Sequence, residues 1–108
     1  SAYGFSRGGM INFTKSAAMQ LADKNIRVNV VMPGWVHTPF TDYLYKDEIQ
    51  SKHRVSQVPL KRWGKPNDIA AAILFLSSDD ASYMTGSQML IDGGVTAGRM
   101  RIANPLDK

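Results

Sequence analysis

The spacing of apolar and polar residues predicts a helix from Tyr3 to Asp23, ended by Asn25. At about 100° per residue, the apolar side chains fall within one arc of roughly 180°. This arc holds Met10, Ile11, Phe13, Ala17, Ala18, Leu21 and Ala22, whereas Asn12, Ser16, Gln20 and Asp23 lie opposite. A helix that covers one sheet needs an apolar stripe of only about 100°. The extra width fits either a second neighbour, such as another subunit, or core packing alone.

Two short apolar runs predict β-strands. The first, Ile26–Val31, has apolar residues on both faces and ends at Pro33–Gly34. Such a pattern is typical of a parallel sheet that is covered on both sides. The second run, Ser87–Asp92, is closed by the turn residues Gly93–Gly94.

Between these strands lie a mixed segment and a second clear helix. Residues from about 40 to 63 are rich in aromatic side chains, with one short helix expected over Asp42–Lys52, and their length predicts a lid or binding loop. The following string "GKPNDIAAAILFLSSDD" predicts a helix with Pro66 in its first turn and Asp68 near its N-terminus. Its buried stripe is expected to contain Ile69, Ala72, Ile73 and Leu76.

The resulting order of helix, strand, lid, helix and strand places the chain in the α/β class. Two strands joined through a helix form a parallel unit with a right-handed crossover. Because two parallel strands do not make a stable doubly wound sheet, the chain is expected to be part of a larger domain. Residues 95–108 carry no strong pattern and are interpreted as a tail, loose or docked on a partner.

Composition excludes several classes of protein. The 13 Lys and Arg residues outnumber the 9 Asp and Glu residues, but they are scattered, so nucleic-acid binding is not expected. The longest apolar run, Ile69–Leu76, is too short to span a bilayer, so no membrane partner is expected. The absence of cysteine excludes disulfides and thiolate chemistry and fits a reducing cytoplasm. The only histidines, His37 and His53, are too far apart for a helical metal pair, and no metal site is predicted.

Tyr3 and Arg7 are the first candidates for chemistry. Residues at i and i+4 of a helix project from one face. A free tyrosine has a pKa of about 10, and a nearby cation lowers this pKa by stabilising the phenolate, which makes tyrosine a usable general acid or base. A surface tyrosine stacked beside an arginine is the alternative, and the pair by itself favours that interpretation.

Three motifs resemble the short-chain dehydrogenase/reductase family. The string "YGFSRGG" is similar to the Tyr-x-x-x-Lys signature, and "VNVVMPGWVHT" is similar to the Asn-x-x-x-Pro-Gly-x-x-x-Thr segment. The stretch "PLKRWGKPNDIAAAILFLSSDDASYMTGSQMLIDGG" resembles the end of the family's domain. The likeness covers residues 1–94 and corresponds to the C-terminal half of the classical branch. It implies the C-terminal part of a Rossmann-type doubly wound parallel sheet, incomplete in this chain, with residues 95–108 as a tail.

The resemblance assigns roles to the helix pair. It implies that Tyr3 is the catalytic tyrosine, which exchanges a proton with the carbonyl or hydroxyl oxygen of the substrate. It also places Tyr3 among the residues that bind the cofactor. Arg7 stands where the family has a lysine that holds the nicotinamide ribose and lowers the tyrosine pKa. A guanidinium can supply charge and bind hydroxyls, but it is effectively always protonated and relays no proton.

The resemblance also implies a cofactor-binding loop after the first strand. Pro33, Gly34, Val36 and Thr38 match the family's loop at the nicotinamide end of the cofactor. The backbone around Val36 would bind the carboxamide, and Thr38 the amide or the pyrophosphate. Asn29 resembles an asparagine of the family, although a satisfied interior amide explains it equally well.

The function implied is that of an NAD(P)-dependent oxidoreductase that interconverts an alcohol and a ketone, with NAD or NADP as cofactor. The intact protein is expected to be a cytoplasmic homodimer or homotetramer, and the isolated chain to be inactive. The chain start is expected to be a cut, with the family's catalytic serine, glycine-rich loop and cofactor selector upstream of Ser1. The alternative is a non-catalytic or truncated member that keeps its oligomerisation surfaces, which Arg7 favours.

A few other residues have two interpretations each. Gly8–Gly9 lies inside the first helix, where it would permit close helix packing rather than bind phosphate. Gly93–Gly94 is interpreted as a turn or as a contact with a neighbouring subunit. The aromatic side chains of the lid region would line a substrate pocket or only pack within the lid: Trp35, Phe40, Tyr43 and Tyr45.

Overall fold

The computed structural model describes residues 2–97, of which residues 2–5 are described by their backbone alone. The helices with defined limits are α1 (Ala2–Leu21), α2 (Asp42–Lys46), α3 (Glu48–Ser56) and α4 (Pro66–Leu76), and residues 95–97 are also helical. Short 3₁₀ turns follow α1 at Ala22–Lys24 and α4 at Asp79–Ala81. The strands are β1 (Val30–Pro33) and β2 (Gln88–Ile91). Residues 98–108 of the predicted tail lie outside the described part of the chain.

The chain divides into two units. Among the described residues, the first unit comprises residues 2–32 and 71–89, and the second comprises residues 33–70 and 90–97. The predicted domain boundary at residue 94 and the lid limits of about 40 and 63 stay predictions.

Helix α1 confirms the first predicted helix, and Asn25, in the left-handed region at φ 60°, ends the 3₁₀ turn that follows it. Its covered stripe is narrower than the predicted arc and consists of six positions: Arg7, Ile11, Thr14, Ala17, Ala18 and Leu21. Thr14, outside the predicted apolar set, is only 3% exposed, whereas Phe13 is 68% exposed. Burial of Thr14 is tolerated because its hydroxyl donates to the Met10 carbonyl at 2.8 Å.

Strands β1 and β2 form a two-stranded parallel sheet. The Val30 N–H donates to the Ser87 carbonyl and the Gly34 N–H to the Ile91 carbonyl, so donor and acceptor advance together along their strands. The second strand is confirmed with slightly shorter limits. In the residues described, the sheet is only partly covered, since Met32 is its one buried residue and β2 alternates exposed and half-buried positions. The expectation of strands covered on both faces is therefore not met in this chain.

The prediction that the first strand begins at Ile26 is wrong. Residues 26–29 face an irregular turn, where the Val28 carbonyl accepts the Gly86 N–H and the Val28 N–H donates to the Thr85 hydroxyl. The Asn29 side chain donates to the Met84 carbonyl and accepts the Ser87 N–H. A ladder begins only where its partner strand is regular, so β1 starts four residues later than its propensity suggests. The two bonds of Asn29 support its interpretation as a satisfied interior amide.

The single short helix predicted over Asp42–Lys52 is two helices. Asp47 separates α2 from α3 because its backbone is extended, with ψ 112°, and its carboxylate accepts the Gln50 N–H at 3.0 Å. This is an N-cap, which starts a new helix and forces a break in the preceding one. Helix α3 then continues to Ser56, beyond the predicted end.

Helix α4 confirms the second predicted helix and both of its start signals. Pro66 is its first residue, and the Asp68 carboxylate accepts the Lys65 N–H at 2.7 Å and a bond from Arg62 Nη1 at 3.1 Å. The Arg62 bond first, and the Lys65 N–H second, lower the pKa of Asp68. The buried stripe is only partly as predicted: Ala72 and Leu76 are buried, but Ile73 is 52% exposed.

Arg27 completes the C-terminal end of α4. Its guanidinium donates to the carbonyls of Leu76 at 2.8 Å, Met84 at 3.2 Å and Ser78 at 3.3 Å. The last carbonyls of a helix have no intrahelical partner, and a cation there also opposes the negative end of the helix dipole. None of the described helices is long and apolar enough to cross a membrane.

Candidate functional site

The candidate site residues fall into two groups, one on α1 in the first unit and one in the loop after β1 in the second unit. Tyr3 lies in the first turn of α1, and its side chain lies outside the described part of the chain. Arg7 is half-buried one turn later. No carboxylate among the described residues forms an ion pair with Arg7. Its charge is therefore not neutralised within the described part of the chain.

Gly34 lets the end of β1 lie close against the end of β2. A Cβ at Gly34 would lie 2.8 Å from both Cα and Cβ of Asp92, a separation that real side chains do not adopt. Asp92 in turn accepts the N–H groups of Gly94 and Thr96, so it is held in place. The position after Pro33 therefore requires glycine for steric reasons.

We expect Gly34→Ala to lower the free energy of unfolding of the intact protein by about 1–3 kcal/mol, because the added methyl forces backbone apart. Urea denaturation measures this change. The control is Ser16→Ala, an exposed position in the middle of α1. That control should leave stability unchanged or raise it by up to about 1 kcal/mol. Equal stability of Gly34→Ala and the parent would contradict the steric argument.

The backbone N–H of Val36 has no hydrogen-bond acceptor among the described residues. Its residue forms an isolated parallel bridge with Gly64, in which the Gly64 N–H donates to Trp35 and the His37 N–H donates to Gly64. The Val36 carbonyl accepts the Thr41 hydroxyl at 2.7 Å. Within residues 2–97 no group accepts the Val36 N–H, although Val36 is half-buried.

Thr38 places a second polar group on the same loop. Its N–H donates to the Thr41 hydroxyl at 2.9 Å, but its own hydroxyl has only long contacts of 3.4 Å, to the Thr41 hydroxyl and N–H. A backbone N–H and a weakly engaged hydroxyl two residues apart match what a carboxamide needs, a donor for its oxygen and an acceptor for its NH₂. The residues present therefore fit the nicotinamide end of a dinucleotide.

His37, between these two residues, is tied to helix α2. Its Nε2 lies 2.8 Å from Asp42 Oδ1, and its ring stacks on Tyr45 with centroids 3.6 Å apart and planes 7° apart. Lys46 Nζ lies 2.8 Å from the other oxygen of the same carboxylate. Bonds from Lys46 first, and from His37 second, lower the pKa of Asp42. Because that carboxylate is ionised and accepts, the His37 Nε2 carries the proton and donates.

Two of the four aromatic candidates, Trp35 and Tyr45, border a cavity, and the other two do not. Trp35 packs edge-on against Trp63 at 6.0 Å and has the Arg54 guanidinium 5.0 Å from its ring centroid. It also borders, with Val36, a cleft of about 480 Å³. Tyr45 packs against Trp63 and borders a groove of about 750 Å³. Phe40 and Tyr43 are exposed and border neither space.

The glycine candidates behave as turn and helix positions. Gly93 and Gly94 have φ of 63° and 95°, which confirms the turn, and Leu60 donates its N–H to the Gly93 carbonyl. Gly8 and Gly9 lie inside α1, and nothing among the described residues lies within 4 Å of a Cβ built at either position. The close helix packing expected there stays a prediction. No group of three or more metal-ligating side chains occurs within residues 2–97.

The sequence analysis missed Thr41, the residue that organises this loop. Its hydroxyl joins the Val36 carbonyl to the Thr38 N–H. A threonine directly before the acidic first residue of a predicted helix is a helix-start signal, so its position could have been noted. The bonds of its hydroxyl to Val36 and Thr38 could not have been predicted, because a helix-start signal indicates bonds to the following helix and these bonds go to the preceding loop.

The chain matches known proteins over most of its length. A family model described as enoyl-(acyl carrier protein) reductase matches residues 1–96. The 3-oxoacyl-(acyl-carrier-protein) reductase FabG of Thermotoga maritima is 47% identical over 93 residues, which are 86% of this chain and 37% of that protein. Dehydrogenase/reductase SDR family member 4 of Oryctolagus cuniculus is 38% identical over 92 residues, 85% of this chain and 35% of that protein. The chain thus spans a little over a third of these relatives.

Solved structures show the same fold. A 4-hydroxyisoleucine dehydrogenase complexed with NADH superimposes with a TM-score of 0.85 and 40% identity, covering 90% of this chain and 40% of that one. A structure described as a 2-deoxy-D-gluconate 3-dehydrogenase of Agrobacterium tumefaciens, with NADP bound, has a TM-score of 0.82 and 38% identity. It covers 88% of this chain and 39% of that one.

Proposed function

Because the chain belongs to the short-chain dehydrogenase/reductase family, we propose that the intact protein is an NAD(P)-dependent oxidoreductase that interconverts an alcohol and a ketone. The observation that supports this proposal lies in the loop after β1. Val36 is half-buried, and its N–H has no acceptor among residues 2–97. Two residues later, the Thr38 hydroxyl makes only long hydrogen bonds. The two solved relatives named above hold NADH or NADP.

Each candidate residue of the loop after β1 has a defined role in this proposal. The Val36 N–H would donate to the carboxamide oxygen, and the Thr38 hydroxyl would accept from the amide. Pro33 and Gly34 would set the path of the loop at the end of β1, where ligands of open α/β sheets bind. The cofactor, when bound, supplies or removes the hydride.

Tyr3 and Arg7 would carry the proton chemistry. In the reducing direction the Tyr3 phenol donates its proton to the carbonyl oxygen, and in the oxidising direction the phenolate takes it from the hydroxyl. The Arg7 guanidinium would hold the ribose hydroxyls and lower the Tyr3 pKa by stabilising the phenolate. Since a guanidinium releases no proton at neutral pH, water must return the proton to Tyr3 directly.

A non-catalytic or truncated member of the family is the second candidate, and Arg7 in the position of the usual lysine is the observation that favours it. The two candidates are separated by incubating the intact protein with NADH and NADPH and a panel of ketones, and with NAD and NADP and a panel of alcohols. Absorbance of the reduced nicotinamide reports turnover. Turnover of any ketone or alcohol of the panels supports the oxidoreductase proposal. Absence of both turnover and calorimetric cofactor binding supports the non-catalytic or truncated candidate.

We also propose that the intact protein is a homodimer or homotetramer. Apolar side chains are exposed on α1 at Met10, Phe13 and Met19, and on α4 at Leu74. Exposed apolar faces of this kind are typical of interaction surfaces. Light scattering at micromolar concentration should give two or four times the subunit mass, and a monomer would contradict this expectation.

A further inference from the structure

Thr41 occupies the N-cap position of α2 but does not cap that helix with its side chain. A threonine in this position ordinarily accepts a backbone N–H of the first helical turn, which stabilises the helix. Here the hydroxyl turns back to the preceding loop instead. It donates to the Val36 carbonyl at 2.7 Å and accepts the Thr38 N–H at 2.9 Å.

The backbone of the same residue holds the start of α2. Its carbonyl accepts the N–H groups of Leu44 at 3.0 Å and Tyr45 at 3.1 Å. Thr41 is therefore bonded on one side to the two loop residues assigned to the carboxamide, and on the other side to α2. It is half-buried, so water competes weakly for these bonds.

A second connection runs in parallel between the loop and the helix. His37 donates to Asp42 in the first turn of α2, and its ring stacks on Tyr45 in the last turn. Lys46 holds the other oxygen of Asp42. The loop after β1 and helix α2 are thus joined by two side-chain connections in addition to the continuous backbone.

We propose that Thr41 is a positioning residue that couples α2, the first helix of the predicted lid, to the loop carrying Val36 and Thr38, so that cofactor binding at the loop stabilises α2. This inference rests on the proposed function, because it assigns the loop ligand as a nicotinamide dinucleotide. A ligand that fixes Val36 and Thr38 also restrains the Thr41 hydroxyl, and through its carbonyl the first turn of α2. Thr41 itself contacts neither substrate nor cofactor and acts only through Val36 and Thr38.

The test compares three variants of the intact protein by amide hydrogen exchange at Leu44 and Tyr45, with and without NADH or NADPH. Thr41→Val keeps the shape and the backbone carbonyl but loses the hydroxyl, and Thr41→Ser restores the hydroxyl. The matched control is Thr85→Val, which removes another threonine hydroxyl that accepts a backbone N–H, that of Val28, away from this loop. Calorimetry of cofactor binding and the substrate KM are measured on the same samples.

In the parent, cofactor is expected to slow exchange at Leu44 and Tyr45 by about tenfold, the size of one or two hydrogen bonds. Thr41→Val should lose this slowing, bind cofactor about tenfold more weakly and raise the substrate KM. Thr41→Ser and Thr85→Val should stay within about twofold of the parent, since their loop bonds are intact. A merely structural hydroxyl would change exchange equally with and without cofactor.

Two results would overturn the inference: full cofactor-dependent slowing in Thr41→Val, or a loss in Thr41→Ser as large as that in Thr41→Val. A parent that binds neither dinucleotide refutes the proposed function, and the inference with it. A parent that binds a dinucleotide without slower exchange at Leu44 and Tyr45 refutes the inference alone.

Discussion

Replacing Tyr3 with phenylalanine in the intact protein is expected to lower turnover by about two to four orders of magnitude, the usual contribution of a positioned acid or base. Phenylalanine keeps the aromatic ring but removes the one hydroxyl that would exchange a proton with the substrate oxygen. Affinity for the dinucleotide should change little, because the carboxamide contacts assigned to Val36 and Thr38 are untouched. Stopped-flow or steady-state absorbance of the reduced nicotinamide measures the rate.

The matched control for this experiment is Tyr83→Phe. Tyr83 is fully exposed, and it lies in the turn before β2, so the same chemical change there should leave kcat and KM at parent values. If Tyr3→Phe turned over within about tenfold of the parent, the proton step would belong to another group. Calorimetric binding of the cofactor to Tyr3→Phe distinguishes a lost proton donor from a misfolded protein.

Replacing Arg7 with methionine should lower turnover by about two orders of magnitude, since under the proposed function the variant loses both the charge that lowers the Tyr3 pKa and a ribose ligand. Methionine retains the length and apolar stem of arginine, which suits the half-buried position of Arg7 on α1. Replacement by lysine should preserve the rate or raise it. The smaller ammonium keeps the charge and leaves room for a water that returns the proton to Tyr3.

Lys15→Met is the control for Arg7, because Lys15 is an exposed cation of the same helix and forms no ion pair within the described residues. Circular dichroism melts establish that all variants fold. Parent-like turnover in Arg7→Met would remove Arg7 from the catalytic machinery. If neither the parent nor Arg7→Lys turned over any alcohol or ketone of the panel, the non-catalytic interpretation would be favoured.

The chain's own pattern was sufficient for the type and order of its main elements. The first long helix was predicted to start at Tyr3, one residue from the observed Ala2, and the second was predicted with Pro66 in its first turn, where Pro66 is the first residue. Both predictions succeed because start signals and periodicity are local. The spacing of Tyr3 and Arg7 and the string from Pro33 to Thr38 also follow from the chain alone. Motifs that are contiguous in sequence need no long-range contact to be recognised, and the family match over residues 1–96 agrees with them.

Burial was predicted less well, and for a common physical reason. Periodicity shows which side chains are apolar but not which of them meet a partner, so Phe13 and Ile73 were placed on covered faces and are exposed. Thr14 was the reverse case, a polar residue that is buried because its hydroxyl bonds within its own helix. A helix buries one stripe of side chains against each element that packs on it, and the tertiary fold decides which elements those are.

Only the tertiary structure decided where β1 begins and what Thr41 does. Strand propensity runs from Ile26, yet pairing starts at Val30, because the partner segment before Gln88 is an irregular turn held by Asn29. The Thr41 hydroxyl had a local partner available in the first turn of α2 but bonds to Val36 and Thr38 instead. Local signals identify the groups that can bond, whereas the choice among competing partners depends on which of them the folded backbone brings within about 3 Å.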